Sequence, residues 1–207
     1  KYRVPRLAFV NKLDREGANY DDVFREIGTR LGANPVALQI PVGQGPAHMP
    51  DPFRGVIDLV RMKMLTVPGG KDGREVVEQA IGAEMADAAA LWRDRLLESL
   101  YDFSNELMEL ALAEEPIPES LLEKVVRDAT LHRFIQPVLC GSALHGAGVQ
   151  PLLDAVAAYL PSPLDVPPVE GREPAEKKGR RRAADSADHR IATRKPDAKE
   201  PFCGQIG

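Results

Sequence analysis

The 207-residue sequence is poor in cysteine and in long apolar runs. Its two cysteines, Cys140 and Cys203, are far apart and have no metal-ligand partner at a useful spacing. This usage indicates a reduced, cytoplasmic protein rather than a disulfide-stabilised one. No apolar run approaches the roughly 18–20 residues of a membrane span, and no signal peptide opens the chain. We therefore expect no membrane partner.

Aromatic residues and an excess of positive charge are also lacking. Aromatics make up 5% of the chain, and 27 Lys and Arg face 31 Asp and Glu, for a formal charge of −4. The chain as a whole therefore has no basic footprint of a nucleic-acid-binding protein. One basic run, Lys177–Arg182, is open to interpretation as an RNA-binding patch. No aromatic residues interleave with it for base stacking, so we favour a solvated, flexible linker.

The sequence has no phosphate-binding loop of the form Gly-x-x-x-x-Gly-Lys-Ser/Thr. Glycines cluster at Gly43–Gly45, Gly69–Gly70 and Gly146–Gly148, but no cluster leads into Gly-Lys-Ser/Thr. Phosphoryl transfer requires such a loop, a Mg2+ ligand and a means of positioning water. We therefore assign no catalytic residue and no metal ligand within these 207 residues.

Polar chemistry is concentrated first where the strand-like run Leu7–Val10 ends in Asn-Lys-Leu-Asp, residues 11–14. Polar groups at the carboxyl end of a strand are where α/β folds bind ligands. The Asp14 carboxylate can accept parallel hydrogen bonds from the N1–H and N2 amino group of guanine, whereas adenine would present a lone pair. The Lys12 stem can lie along the base, and the Asn11 amide can tie neighbouring loops together. A solvated polar turn is the plain alternative.

A second turn of the same kind follows the strand-like run Phe134–Cys140. It reads Gly-Ser-Ala-Leu over 141–144, and a helix is predicted over Val149–Tyr159. Such a turn can place a backbone N–H on guanine O6, an acceptor that adenine lacks. Ala143 is small enough to let the backbone approach the base, and Ser142 can hydrogen-bond to the aspartate loop. The two turns together predict a guanine site.

Local signals predict the elements between these turns. Asn19 is a plausible N-cap and Gly32 a plausible stop for a helix that starts at Tyr20. The remaining predictions are β-rich runs over Pro35–Val42 and Gly55–Met64, helical sequence from Glu75 to about Leu112 with a break around Ser99–Ser104, and a helix over Leu121–Thr130.

On these motifs the chain resembles the translational GTPases, and most closely the elongation factor G family. The resemblance covers most of residues 1–168 and does not extend to 169–200. The matching stretches are Val4–Arg15, Arg30–Pro35, Gly55–Val60, Cys140–Ala143, Pro161–Pro167 and Glu200–Phe202. The resemblance implies the α/β fold class: the C-terminal part of a P-loop GTPase domain, with a parallel sheet flanked by helices. It adds an inserted α+β subdomain and the start of a β-barrel domain.

The resemblance also implies a domain division. The guanine-binding part of the GTPase domain would comprise 1–32 and 131–163, and an inserted ribosome-facing subdomain would comprise 33–130. A Pro-rich, then charged linker would follow at 164–200, and a β-barrel second domain would begin at 201–207. The insertion would account for the 128 positions between Asp14 and Ser142, since a simple βαβ unit needs only about 30. The implied guanine-contacting residues are Asn11, Lys12, Asp14, Ser142, Ala143 and Leu144.

The function implied by the resemblance is GTP hydrolysis by the full-length protein, coupled to tRNA and mRNA translocation on the ribosome. The ligands would be GTP and GDP, with Mg2+ held by residues outside this chain. The partners would be the ribosome with its tRNA and mRNA, and the stalk proteins through the inserted subdomain. We expect a cytoplasmic monomer. Because the chain begins with Lys1 and ends at what resembles the start of a strand, we expect an internal fragment that alone is inactive.

Two alternatives stay open at this point. A paralogous ribosomal GTPase of the recycling, ribosomal protection or release factor type would share these motifs. A truncated, non-catalytic ribosome-binding module would retain the docking surface without the phosphate loop.

Overall fold

The computed structural model describes residues 4–67, 75–165, 169–172 and 191–194. The chain divides into two compact units, Lys1–Leu160 and Pro161–Gly207. The strands of the first unit are β1 (Ala8–Val10), β2 (Pro35–Ala37), β3 (Gln39–Val42), β4 (Gly55–Asp58), β5 (Lys63–Thr66), β6 (Val77–Gln79) and β7 (Gln136–Cys140). Its α-helices are α1 (Tyr20–Leu31), α2 (Ala83–Glu98), α3 (Asn105–Leu112), α4 (Glu119–Leu131) and α5 (Val149–Tyr159).

A three-stranded parallel sheet carries the two polar turns. Its order is β1–β7–β2, and Val10 pairs with Cys140. Every residue of β7 is buried, as is typical of a central parallel strand that is covered on both faces. Helix α1 packs against β1 and β2, and α4 packs against β7 and α5. The predicted α/β class, with a parallel sheet flanked by helices, is confirmed.

A second, antiparallel sheet has the order β3–β4–β5–β6. It continues directly from the first, because only Leu38 separates β2 from β3 and its N–H donates to Val138 O at 2.9 Å. Residues 35–37 lie inside the range predicted for the inserted subdomain, yet they pair with β7 in the parallel sheet. The antiparallel sheet begins only at Gln39.

One apolar core joins the two sheets of the first unit. Its fully buried side chains come from the Asp14 turn, both sheets and the helices, among them Leu13, Val36, Ile57, Leu96, Leu122 and Leu139. Among the described residues, no helix has the length and apolar character needed to cross a membrane.

Helix α1 begins and ends as the sequence predicts. The side chain of Asn19 accepts a hydrogen bond from the Asp22 N–H at 3.0 Å, and Gly32 ends the helix in a left-handed conformation. Its first residue, Tyr20, is buried and donates from its hydroxyl to Gln39 O at 2.7 Å. Helix α1 is therefore bound to β3 at the end that lies nearest the Asp14 turn in sequence.

The predicted run Gly55–Met64 contains a reversal that the sequence analysis missed. The Asp58 carboxylate accepts hydrogen bonds from the N–H groups of Val60 and Arg61, at 2.8 and 3.0 Å. The chain turns back there, and β4 pairs with β5. Burial raises the pKa of Asp58, and these two backbone donors act against that rise.

The predicted helical stretch Glu75–Leu112 is wrong in its first part and correct afterwards. Val77–Gln79 forms β6 because it pairs with the edge of β5, and three residues are too few to show a period. The break around Ser99–Ser104 is confirmed, since a short 3-10 helix at Tyr101–Phe103 separates α2 from α3.

In the second unit, β8 (Val169–Arg172) pairs antiparallel with β9 (Ile191–Arg194). The sequence analysis predicted no strand in this charged segment. The predictions for the basic run Lys177–Arg182, for Cys203 and for the domain start at 201–207 lie outside the described residues.

Gly28, in the middle of α1, offers room for a methyl group. A Cβ there would meet the Pro35 side chain at 3.6 Å, an ordinary contact. Because glycine in a helix interior costs roughly 0.5–1 kcal/mol relative to alanine, we expect Gly28→Ala to raise the free energy of unfolding by about that amount. Urea denaturation measures this change. A lower free energy would mean that the packing of α1 on β2 does not tolerate the methyl group.

Candidate functional site

The structure brings the two predicted turns together at the carboxyl edge of the parallel sheet. Strands β1 and β7 are neighbours and end at the same level, so the turns that follow them adjoin. The Gly141 N–H donates to Val10 O at 3.0 Å, and the Leu13 N–H donates to Gly141 O at 3.2 Å. The two motifs, far apart in sequence, form one continuous surface.

Asn11 ties the two turns together through its side chain. Its Oδ1 accepts the Ala143 N–H at 2.9 Å and the Lys12 N–H at 2.8 Å. Both bonds use the amide oxygen, and no hydrogen bond of the Nδ2 group is found among the described residues. The Asn11 amino group is therefore the part of this side chain that remains to donate to a ligand.

Lys12 and Leu13 give the first turn its shape. Lys12 has a φ of 66° in the left-handed region, an unusual conformation for a residue other than glycine. Backbone of this kind is concentrated at ligand sites, where the surrounding structure holds it. The Lys12 side chain stays exposed, whereas Leu13 is 1% exposed and anchors the turn in the core.

Asp14 places a nearly buried carboxylate in the turn, with its side chain 12% exposed. Its Oδ2 lies 3.6 Å from Arg15 Nε and 3.6 Å from His145 Nε2. Desolvation raises the pKa of Asp14, but the Ser142 hydroxyl, the residue's own backbone N–H and the two neighbouring side chains together lower it below its usual value. The carboxylate is therefore ionised at neutral pH, the form that accepts hydrogen bonds with both oxygens.

Ser142 contributes a fully buried hydroxyl whose Oγ has no hydrogen bond of normal geometry among the described residues. Its backbone N–H donates to Ala147 O at 2.9 Å, which closes the second turn. Buried polar atoms without a partner are uncommon. The hydroxyl is close enough to Asp14 to lower the pKa of that carboxyl, so Asp14 is the acceptor that its position favours.

A cleft of about 620 Å³ opens beside Asp14. Leu144 and His145 line it from the second turn, and Gly45 and Phe53 line it from the loop between β3 and β4. Its volume lies within the range of small-molecule sites, roughly 300–1,000 Å³. Leu144 is 70% exposed at the edge of this cleft.

The sequence predicts the two turns but does not predict that Gly45 and His145 line the same cleft. The only sequence signal for Gly45 is the density of glycine and proline over 43–52, which indicates a loop and not its location. His145 directly follows the Gly-Ser-Ala-Leu turn, but no sequence motif marks it as part of the site. Among the described residues, no group of three or more His, Cys, Asp or Glu side chains could hold a metal ion.

Two comparisons with known proteins find matches for this chain. The family described as the elongation factor Tu GTP binding domain matches residues 1–162, which include both turns. Among solved structures, the crystal structure of a protein from Thermus thermophilus matches with a TM-score of 0.64 and 25% sequence identity. The match covers 81% of this chain, which spans only 24% of that protein's length.

Proposed function

Because this chain belongs to the family of the elongation factor Tu GTP-binding domain, we propose that it supplies the guanine-recognising part of an elongation factor G. The observation that carries the proposal is the bond from the Ala143 N–H to Asn11 Oδ1, which joins the two turns. Beside the joined turns, the ionised Asp14 carboxylate lines the cleft of about 620 Å³.

Base selection would depend on Asp14. Its two oxygens would accept the N1–H and the N2 amino group of guanine, whereas adenine has a lone pair at N1 and no amino group at C2. A site built to pair such groups rejects an analogue that leaves them unpaired by several powers of ten. The Ser142 hydroxyl would orient the carboxylate by donating to it.

The remaining four residues would surround the base. The aliphatic stem of Lys12 would lie on one face, and Leu144 would cover the other, which would explain why this leucine is exposed without a ligand. The free Asn11 Nδ2 would donate to the N7 or O6 acceptor edge. Guanine O6 would also lie against the backbone of Ala143 and Leu144. The Ala143 N–H in this backbone already donates to Asn11 Oδ1.

For the full-length protein we propose GTP hydrolysis that drives tRNA and mRNA translocation on the ribosome, in the cytoplasm and as a monomer. The phosphate loop and the Mg2+ ligands would come from residues outside this chain. The antiparallel sheet with α2 and α3 would be an inserted subdomain that meets the ribosomal stalk. We set its start at about residue 38 instead of 33, because β2 belongs to the parallel sheet. A β-barrel domain would begin near 201.

The second candidate function is that of a paralogous ribosomal GTPase of the recycling, ribosomal protection or release factor type. The observation that favours it is the segment 169–200, which does not resemble the elongation factor G family. A translocation assay and a ribosome-splitting assay with the full-length protein separate these functions.

Nucleotide binding by the full-length protein tests the shared part of the proposal. We expect GDP to bind at least about 1,000-fold more tightly than ADP, because the carboxylate pairs only with guanine. We also expect no measurable GTP hydrolysis by the 207-residue chain alone. Equal affinities for GDP and ADP would contradict the base-selection role, and hydrolysis by the isolated chain would contradict the location of the phosphate chemistry outside it.

A further inference from the structure

The backbone of Leu13, the residue that precedes Asp14, is held from two sides. The Leu13 N–H donates to Gly141 O at 3.2 Å, in the turn after β7. Leu13 O accepts the Gly45 N–H at 2.7 Å, from the loop between β3 and β4. The Leu13 side chain is fixed by burial in the core. The direction in which the chain presents Asp14 therefore depends on this loop as well as on β7.

The segment from Gly43 to Arg54, called here the β3–β4 loop, is ordered by its own hydrogen bonds. The Phe53 N–H donates to Gly45 O at 3.0 Å, which holds the loop's contact with the Asp14 turn in place. Two further bonds close the loop, from the Gln44 N–H to Asp51 O at 2.9 Å and from the Arg54 N–H to Val42 O at 2.8 Å.

Gln44 connects the β3–β4 loop to helix α1. Its Oε1 accepts the Tyr20 N–H at 2.6 Å. The first N–H groups of a helix have no partner within the helix, so Gln44 satisfies one of them at the first residue of α1. The loop is thus bound to both ends of the segment from Leu13 to Tyr20, with Asp14 between the two attachment points.

From this geometry we propose that the β3–β4 loop is a positioning segment for base recognition, in which Gln44 and Gly45 set the orientation of the Asp14 carboxylate. The inference rests on the proposed function of Asp14 and adds to it a segment of the second sheet. Loop and carboxylate line the same cleft. If the loop is loosened, the Asp14 carboxylate can rotate. Binding of a ligand that meets both carboxylate oxygens then weakens more than binding of a ligand that meets only one.

The test compares GDP with inosine diphosphate, which lacks the N2 amino group and can give Asp14 only the N1–H. In the full-length protein, Gln44→Met keeps the length of the side chain and removes the acceptor. We expect it to weaken GDP binding about 10-fold and inosine diphosphate binding less than about 3-fold, as for the loss of one hydrogen bond. Gln44→Glu keeps the acceptor and should retain the wild-type ratio of the two Kd values.

Gln79→Met is a matched control in the same sheet. The Gln79 amide donates to Thr66 Oγ1 at 2.9 Å at an exposed site between β5 and β6, and neither residue lines the cleft. We expect this variant to leave the ratio of the two Kd values unchanged. A Gln44→Met variant that weakens both nucleotides equally, or neither, overturns the positioning role.

The same measurements separate this inference from the proposed function. If the wild-type protein does not prefer GDP over ADP, the proposed function falls and the inference with it. If the wild type shows that preference and Gln44→Met leaves the ratio of GDP to inosine diphosphate affinity unchanged, the inference alone is overturned.

Discussion

Asp14→Asn is expected to lower the affinity of the full-length protein for GDP by at least about 100-fold and to create affinity for xanthosine diphosphate. The ionised carboxylate of Asp14 offers two acceptors, whereas an amide of the same shape offers one acceptor and one donor. In the variant, the amide N–H2 group would face the guanine N2 amino group, donor against donor. The loss follows from this mismatch and not from any change in side-chain size.

Xanthine tests the same argument in the opposite direction. It keeps the N1–H of guanine but has a carbonyl oxygen where guanine has the N2 amino group, so it matches an amide and not a carboxylate. Competition with a fluorescent nucleotide should rank GDP first in the wild type and xanthosine diphosphate first in Asp14→Asn.

Asp102→Asn serves as the control for this exchange. Asp102 is an exposed carboxylate of the short 3-10 helix between α2 and α3 and does not line the cleft, so its variant carries the same chemical change without facing the base. It should leave the nucleotide ranking unchanged. Loss of GDP binding in Asp14→Asn without any gain for xanthosine diphosphate would mean that Asp14 supports the turn but does not meet the base.

Gly148→Ala is expected to lower the free energy of unfolding by more than about 2 kcal/mol. Gly148 has a φ of 80°, and a Cβ there would lie 2.3 Å from Cys140 O. Cys140 ends the central strand of the parallel sheet and is fully buried, so its carbonyl cannot move away without disturbing the pairing with β1. The variant should also lose base binding, because a Cβ at position 148 would displace the neighbouring turn that contains Ser142.

Gly17→Ala separates the cost of the left-handed backbone from the cost of the steric overlap with Cys140 O. Gly17 has a φ of 77°, and nothing lies within 4 Å of a Cβ at that position. Its variant should lose only the roughly 1–2 kcal/mol that left-handed backbone costs a residue with a side chain. Urea unfolding measures the loss in the free energy of unfolding for each variant. The difference between the two losses is the part that is due to the close approach of the Cβ at position 148 to Cys140 O. Equal losses would show that the end of β7 relaxes to accept the methyl group.

Helix bounds were accessible from the sequence because their signals are local. The cap at Asn19 and the stop at Gly32 fix α1 with residues that are adjacent to it, and the predicted helix Val149–Tyr159 coincides with α5. Strands were harder to predict from the sequence because the strands with which they pair are remote in the chain. Val77–Gln79 is a strand only because Thr66 and its neighbours offer an edge.

The same distinction holds at the site. Asn11, Asp14 and Ser142 could be predicted to lie close together because they follow two strands, and a parallel sheet brings the ends of neighbouring strands together. The contact of Gly45 with Leu13 O could not be predicted because it uses a backbone N–H, which every residue except proline has. No side-chain pattern indicates where a loop of the second sheet will donate.

Val10 pairs with Cys140, which lies 130 positions later in the chain. Strand β1 is therefore synthesised well before its partner strand β7. At 5–20 residues per second, roughly 7–26 s separate the emergence of β1 from that of its partner. Over this interval the side of β1 that will face β7 is unpaired, and an open strand edge of this kind can associate with other chains. Prior folding of the residues between the two strands shortens the remaining search, because closing a loop costs less when its ends are already near. A ligand held by both turns can therefore stabilise only a chain that has been made at least as far as the second turn.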